Sequence, residues 1–223
     1  MSESQTPMPP RIDIVSDAIC PWCYVGKRQL ERALPMLAER GLHPEIVWHP
    51  FQLNPDMPAE GVERQSYRLA KFGSAERARE LDERITQAGA TVGLGFRTDL
   101  MRRTPNTVQA HRLIWLAGSR GVQDAVVEAL FAAYFTQGAD IGDAETLAAI
   151  AAAAGINDAA AFLASDEARE TVLAEDLMAR RAQINGVPSF IMAGHILFSG
   201  AMEAQAMADA FLRAWEILSR RAA

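Results

Sequence analysis

The only two cysteines of the 223 residues stand three positions apart in the run Cys20-Pro21-Trp22-Cys23. An apolar run from Ile12 to Ile19 precedes them and a helical pattern follows. A C-x-x-C pair after a strand and at a helix start places its first sulfur among N–H groups that lack intrahelical partners. There the helix dipole favours negative charge. The thiolate is the nucleophilic form of cysteine, and a helix N-terminus promotes it. The dipole supplies roughly 0.3–2 kcal/mol, at most about 1.5 pKa units for a thiol so placed. Cys20 therefore reads as an attacking thiolate. Cys23, one turn on and expected to be more buried, reads as the resolving thiol. Pro21 and Trp22 between them tune the couple, where about 30 mV corresponds to roughly 1.4 kcal/mol. Trp22 also reads as an apolar contact for a client protein.

Other chemistry for the pair fits less well. A structural zinc site needs four ligands at recognisable spacing. Here there is no second C-x-x-C, and His43, His49, His111 and His195 are scattered, so no metal is expected. A net charge of −6 argues against nucleic acid or an anionic membrane as partner. No stretch of about 18 uninterrupted apolar residues is present, so no membrane span is expected. Met1 to Pro10 is polar and proline-rich, which reads as a flexible leader and not as a signal peptide. The cytoplasm is the expected compartment, where a cysteine pair is more often catalytic than structural.

The elements that must position the pair follow from periodicity. Arg11 to Ser16 is β-branched and loosely alternating, as a buried strand requires. Leu30, Ala33, Leu34 and Leu37 recur at helical spacing, which predicts a helix from about Trp22 to Arg40, kinked at Pro35 and stopped by Gly41. His43 to Phe51 reads as a second strand, parallel to the first through a β-α-β crossover. From about Glu60 to Ile184 the strand signal fades. Ala78, Leu81, Ile85 and Ala88 form one helical stripe. Thr104-Pro105 reads as an N-cap and first helical residue, opening a helix through Leu113 and Leu116. Val126, Leu130 and Tyr134 mark another helix. Asp143 caps one ending at Gly155, and Asp166 starts a longer one carrying Leu173 and Leu177. Strand signal returns as a hairpin, Ser189 to Met192 and Ile196 to Ser199, before a last helix with Met207, Phe211, Ala214 and Leu218 on one face.

The second half of the site is Gly186-Val187-Pro188, just ahead of the third strand. Cis peptides are essentially a proline phenomenon. A cis Val187-Pro188 bond would leave the Val187 backbone free to pair with an extended substrate in line with Cys20, by strand addition.

With these residues in place the chain resembles the thioredoxin superfamily, and within it the DsbA-like branch of FrnE-type proteins without an export signal. Phe51-Gln52-Leu53-Asn54-Pro55, Asn106-Thr107, Ala110-His111-Arg112 and Phe198-Ser199-Gly200-Ala201 are similar to recurring segments of that group. The resemblance runs from Arg11 onward. It implies an α/β thioredoxin-like fold over 11–58 and 185–223, interrupted by an all-helical insertion over 59–184. It further implies a thiol–disulfide oxidoreductase with Cys20 as nucleophile, Cys23 as resolving thiol and Pro188 as a cis-proline facing them. Partners would be disulfide- or thiol-bearing proteins or small thiols, with homodimerisation open. No cofactor is implied, glutathione serving at most as a thiol partner. Many such enzymes carry a buried acid six residues before the first cysteine. That position here is Ile14, so the proton relay is unassigned. Asp17 is a candidate, weighed against a solvated loop or helix-start carboxylate, and His49 and His111 are candidates to line the cleft.

Two other functions stand beside this one. A glutathione-dependent isomerase or transferase of the chromene-carboxylate isomerase or kappa-class type shares the inserted helices, but such enzymes generally carry serine where Cys20 stands. A client-binding chaperone would use the helical insertion and need neither thiol.

Overall fold

A computed structural model describes residues 10–222. Residues 1–9, most of the expected leader, lie outside that range. The chain opens with β1 (Arg11–Ser16), α1 (Pro21–Ala38) and β2 (Glu45–Pro50). It continues through β3 (Val62–Glu63), α2 (Arg64–Phe72), α3 (Ala75–Thr91) and β4 (Arg103–Thr104). Five helices follow: α4 (Val108–Ser119), α5 (Gln123–Gln137), α6 (Ala144–Ala153), α7 (Ala159–Ala164) and α8 (Arg169–Arg181). It closes with β5 (Ser189–Met192), β6 (His195–Ser199) and α9 (Ala204–Ala222).

The main sheet has the order β2-β1-β5-β6. β1 runs parallel to β2, with Ile14 opposite Trp48, and antiparallel to β5, with Ile14 opposite Phe190. A central strand is covered on both faces and so reads as a nearly continuous apolar run. Ile12, Ile14 and Val15 are accordingly buried. α1 and α9 pack against each other, and Met207 and Phe211 are wholly buried on α9. One contiguous core joins Ile14 of the sheet to Leu113 and Phe131 of the helices between β2 and β5.

Two buried cations tie helices together. Lys27 of α1 is only 2% exposed and pairs with Glu31 at 2.5 Å, and with Asp124 and Glu128 of α5 at 3.0 and 3.3 Å. Arg112 of α4 is 1% exposed. Its guanidinium donates to Gln109 Oε1 and to the carbonyls of Phe162, Leu163, Ser165 and Glu167. These carbonyls lie at the C-terminal end of α7 and just beyond it, where helix carbonyls lose their intrahelical partners. A five-donor guanidinium satisfies them as a lysine could not.

Several boundaries depart from periodicity. α1 passes through Pro35 and ends at Ala38, short of Arg40. Between β2 and β5 the chain is not all-helical, because β3 and β4 form a two-stranded antiparallel ribbon with Val62 opposite Thr104. Thr104 is therefore a strand residue and not an N-cap. α4 starts at Val108, whose N–H donates to the Asn106 side chain at 3.0 Å. Gly61 permits the ribbon: its φ is +68°, and a Cβ there would lie 2.7 Å from the Thr104 carbonyl oxygen. α8 starts at Arg169, three residues after Asp166. Leu173 and Leu177 point outward, while Val172, Asp176 and Ala179 face in. The short helix α7 lacks a periodic signature long enough to be read from sequence.

Candidate active site

The turn after β1 delivers the cysteine pair. Cys20 is the N-cap of α1, extended at φ −91° and ψ 110°, with Pro21 opening the helix. Its own N–H donates to the Asp17 carbonyl at 2.9 Å, and its carbonyl accepts from the N–H of Cys23 at 3.0 Å. Proline suits this first position because its missing N–H would have had no helical partner there. Both thiols are free. Cys20 keeps 4% of its surface and Cys23 none, while Trp22 is 40% exposed.

Burial pushes the Cys23 thiol well above its ordinary value, and the neighbouring Cys20 sulfur adds to the rise. The Ser16 hydroxyl and the Asp17 backbone N–H act the other way. Cys23 is thus held as a neutral thiol behind Cys20.

The loop before β5 meets this helix start. The Cys20 thiol donates to the Val187 carbonyl at 3.5 Å, and the Val187–Pro188 peptide is cis. That carbonyl accepts this one contact and keeps a second lone pair. The Pro188 carbonyl accepts from Gly200 N–H at 2.8 Å. The Ser189 hydroxyl donates to the Gly186 carbonyl at 2.7 Å and lies 2.6 Å from the Ser199 hydroxyl. The close approach depends on Gly26, where a Cβ would fall 2.9 Å from Pro188 Cγ.

A cleft of about 430 Å³ opens at this junction. Cys20, Pro21, Trp22 and Val187 line it. Cys23 lies behind it, and Pro188 packs on Gly26. The wall contributed by α2 includes Arg64, Tyr67, Arg68 and Lys71, which sequence reasoning missed. Their spacing of i, i+3, i+4 and i+7 is a legible helical stripe. Apolar periodicity does not pick it out, because it is basic and aromatic, on a helix that buries no residue.

The histidine and aspartate candidates separate. Asp17 is fully buried, which corrects the reading of a solvated or helix-start carboxylate. Its oxygens accept from Leu53 N–H at 2.7 Å and Ile19 N–H at 3.4 Å, and Oδ1 lies 3.4 Å from His111 Nε2. His111 is therefore buried beneath the site and does not line the cleft. His49 sits on β2 with Asp13 at 2.7 Å and Glu175 at 3.4 Å, also away from the cleft. Ile14 is an apolar core residue at 0% exposure. Among the described residues no group of three His, Cys, Asp or Glu side chains is placed to hold a metal. No helix among them is long and apolar enough to cross a membrane.

A β-α-β unit whose helix is capped by the first of two cysteines, facing a proline loop ahead of an antiparallel hairpin, defines a dithiol protein of thioredoxin-like fold. The chain belongs to the DSBA-like thioredoxin domain family, which it matches over residues 11–212. It is similar to a crystal structure described as a probable DsbA oxidoreductase, SCO1869 of Streptomyces coelicolor. The identity is 30%, covering 93% of this chain and 90% of that one, with a TM-score of 0.84. YwbO of Bacillus subtilis (strain 168) is 26% identical over 197 residues, 85% of this chain and 90% of its own length. The cytosolic disulfide reductase DsbM of Pseudomonas aeruginosa, solved with GSH, shares the fold at 16% identity and a TM-score of 0.62. That match covers 95% of this chain and 99% of DsbM.

Proposed function

We propose that the protein is a thiol–disulfide oxidoreductase working through Cys20 and Cys23. The observation that carries this is the asymmetry of the two thiols: Cys20 borders the cleft at the N-terminus of α1, and Cys23 is sealed behind it. In the reductive direction the Cys20 thiolate attacks a substrate disulfide, forming a mixed disulfide and releasing one substrate thiolate. Cys23 then gives up its proton, attacks the Cys20 sulfur and releases the second substrate thiolate. Two electrons pass from the dithiol to the substrate. Oxidation runs the same steps in reverse.

Trp22 and the Pro188 loop flank the reacting sulfur and would bear on the client. Residues 11–58 and 185–223 act as the thioredoxin-like unit, and 59–184 as the insertion that walls the cleft. A small thiol such as glutathione is a reasonable partner, given the GSH in the DsbM structure, and a cytoplasmic setting suits a free, catalytic cysteine pair.

The test is a pair of variants in an insulin-reduction assay. Cys20→Ser is expected to abolish turnover, and Cys23→Ser to trap a mixed disulfide visible by mass spectrometry. Equal residual turnover in both would overturn the assignment.

A further inference from the structure

We propose that the cleft beside Cys20 binds a small disulfide bearing an anionic group, a carboxylate or phosphate, which Arg64 and Arg68 hold. This rests on the oxidoreductase reading and names the substrate class for it.

The cleft's volume of about 430 Å³ falls within the roughly 300–1,000 Å³ of small-molecule sites. Its charge is unlike that of the chain. The protein carries a net −6, yet Arg64, Arg68, Lys71 and Arg84 line this space with Asp82 as the one carboxylate among the lining residues. Lys71 and Arg84 lie on the exposed rim. Arg64 and Arg68 do not: each side chain is only 14% exposed, and both turn to the same Asp82, at 3.5 and 3.0 Å. Two half-sealed guanidiniums sharing one carboxylate leave an excess positive charge, which is costly without an anion to meet it. Burial, with the neighbouring Arg64 charge, lowers the Arg68 pKa in spite of Asp82.

A second observation points the same way. Thr104 lines the cleft and is 2% exposed. Its hydroxyl lies near the Tyr134 phenol but has no hydrogen-bond partner of normal geometry among the described residues. Buried hydroxyls are ordinarily paired. Its oxygen is itself closed to solvent, so it reaches a bound anionic oxygen only when the Thr104 side chain turns toward the cleft. Phe72, Ile85, Phe96 and Met101 supply an apolar wall for the organic body of the same molecule.

The reaction balances without a further reagent. Cys20 thiolate attacks the near sulfur of the bound disulfide, and the distal half leaves as a thiolate. Cys23 loses its proton to water, attacks Cys20 Sγ and expels the anion-bearing half as the second thiolate. The dithiol is oxidised to a disulfide by two electrons, and the ligand is reduced to two thiols.

The experiment compares two aromatic disulfides of similar size, the dianionic dithio-bis-nitrobenzoate and the neutral dithiodipyridine, as oxidants of the reduced protein. The readout is the ratio of their rates. Arg68→Gln and Arg64→Gln are each expected to lower that ratio about tenfold, as loss of a charged hydrogen-bond partner does. Asp82→Asn removes the competing carboxylate and is expected to raise it. Added salt should lower the ratio in the wild type, since a partly exposed charge is screened. A ratio unmoved by all three substitutions would overturn the anion site while leaving the oxidoreductase reading intact. Failure of both disulfides to oxidise the wild-type dithiol would overturn that reading first. An equal loss of insulin reduction in Arg68→Gln would assign the cleft to protein clients and overturn the small-molecule assignment.

Discussion

The Asp17 carboxylate lies 3.4 Å from Nε2 of His111, and both side chains are buried beneath the cysteine turn. The same Nε2 lies 3.2 Å from the Phe51 carbonyl, which can only accept, so this nitrogen carries a proton. Asp17 also ties down the backbone N–H groups of Leu53 and Ile19. Asp17→Ala would orphan these buried donors and is expected to cost about 2–4 kcal/mol in urea unfolding. Asp17→Asn keeps an acceptor oxygen and should cost less. Equal losses in the two variants would refute the hydrogen-bonding role.

A thiol pushed well up by burial resists alkylation near neutral pH. Iodoacetamide is expected to label the reduced wild type once, at Cys20, and to leave Cys20→Ser unlabelled under the same conditions. Peptide mass spectrometry reads both results. Comparable labelling of Cys23 in the single variant would show that it is neither sealed nor neutral.

Gly26 faces Pro188 across a gap with no room for a methyl group, since a Cβ would lie 2.9 Å from Pro188 Cγ. Alanine gains about 1 kcal/mol over glycine inside a helix, whereas overpacking costs about 1–3 kcal/mol. The backbone around the ring is held, with the Pro188 carbonyl accepting from Gly200 N–H and the Ser189 hydroxyl donating to the Gly186 carbonyl, so ring pucker is the main relief left. Gly26→Ala is therefore expected to lose stability on balance, and to slow insulin reduction by displacing Val187 from Cys20. A variant more stable than wild type, with full turnover, would contradict this packing.

His49 gives the pH dependence a sign. Burial alone would lower its pKa, but hydrogen bonds and charge from Glu175 and Asp13 outweigh burial and raise it. Arg11 also approaches, with Nη2 3.5 Å from the ring. A histidine raised on folding contributes fully below its unfolded pKa, and the contribution fades as pH rises through the folded value. The protein is expected to lose about 0.2–1 kcal/mol across that window. His49→Gln should flatten the dependence. An unchanged pH slope in thermal melts of this variant would refute it.

How far the fold was legible depended on how local its cause was. β1, β5 and β6 were readable because a strand's alternation and β-branched content are written within a few residues, and Asp143 was readable as a cap because capping is a contact to Thr146 N–H at 2.8 Å. Thr104 misled because its partner, Val62, is 42 positions away, from Val62 to Thr104, so its local pattern matched a helix cap while its real constraint was a strand. Leu173 and Leu177 do mark a helix, α8, but their apolar spacing does not say whether anything covers the stripe; at 38% and 46% exposure, little does.

By itself the sequence determined that two cysteines would stand at a strand-to-helix junction, with a proline loop ahead of a hairpin, since each of these follows from short-range pattern. Only the tertiary structure decided what surrounds the sulfurs. It set Val187 against Cys20 across 167 positions, buried Asp17 on His111, and turned α2 so that its arginines face the cleft that Cys20 lines. Charge and desolvation act over ångströms of space, and residue spacing fixes such distances only within one element.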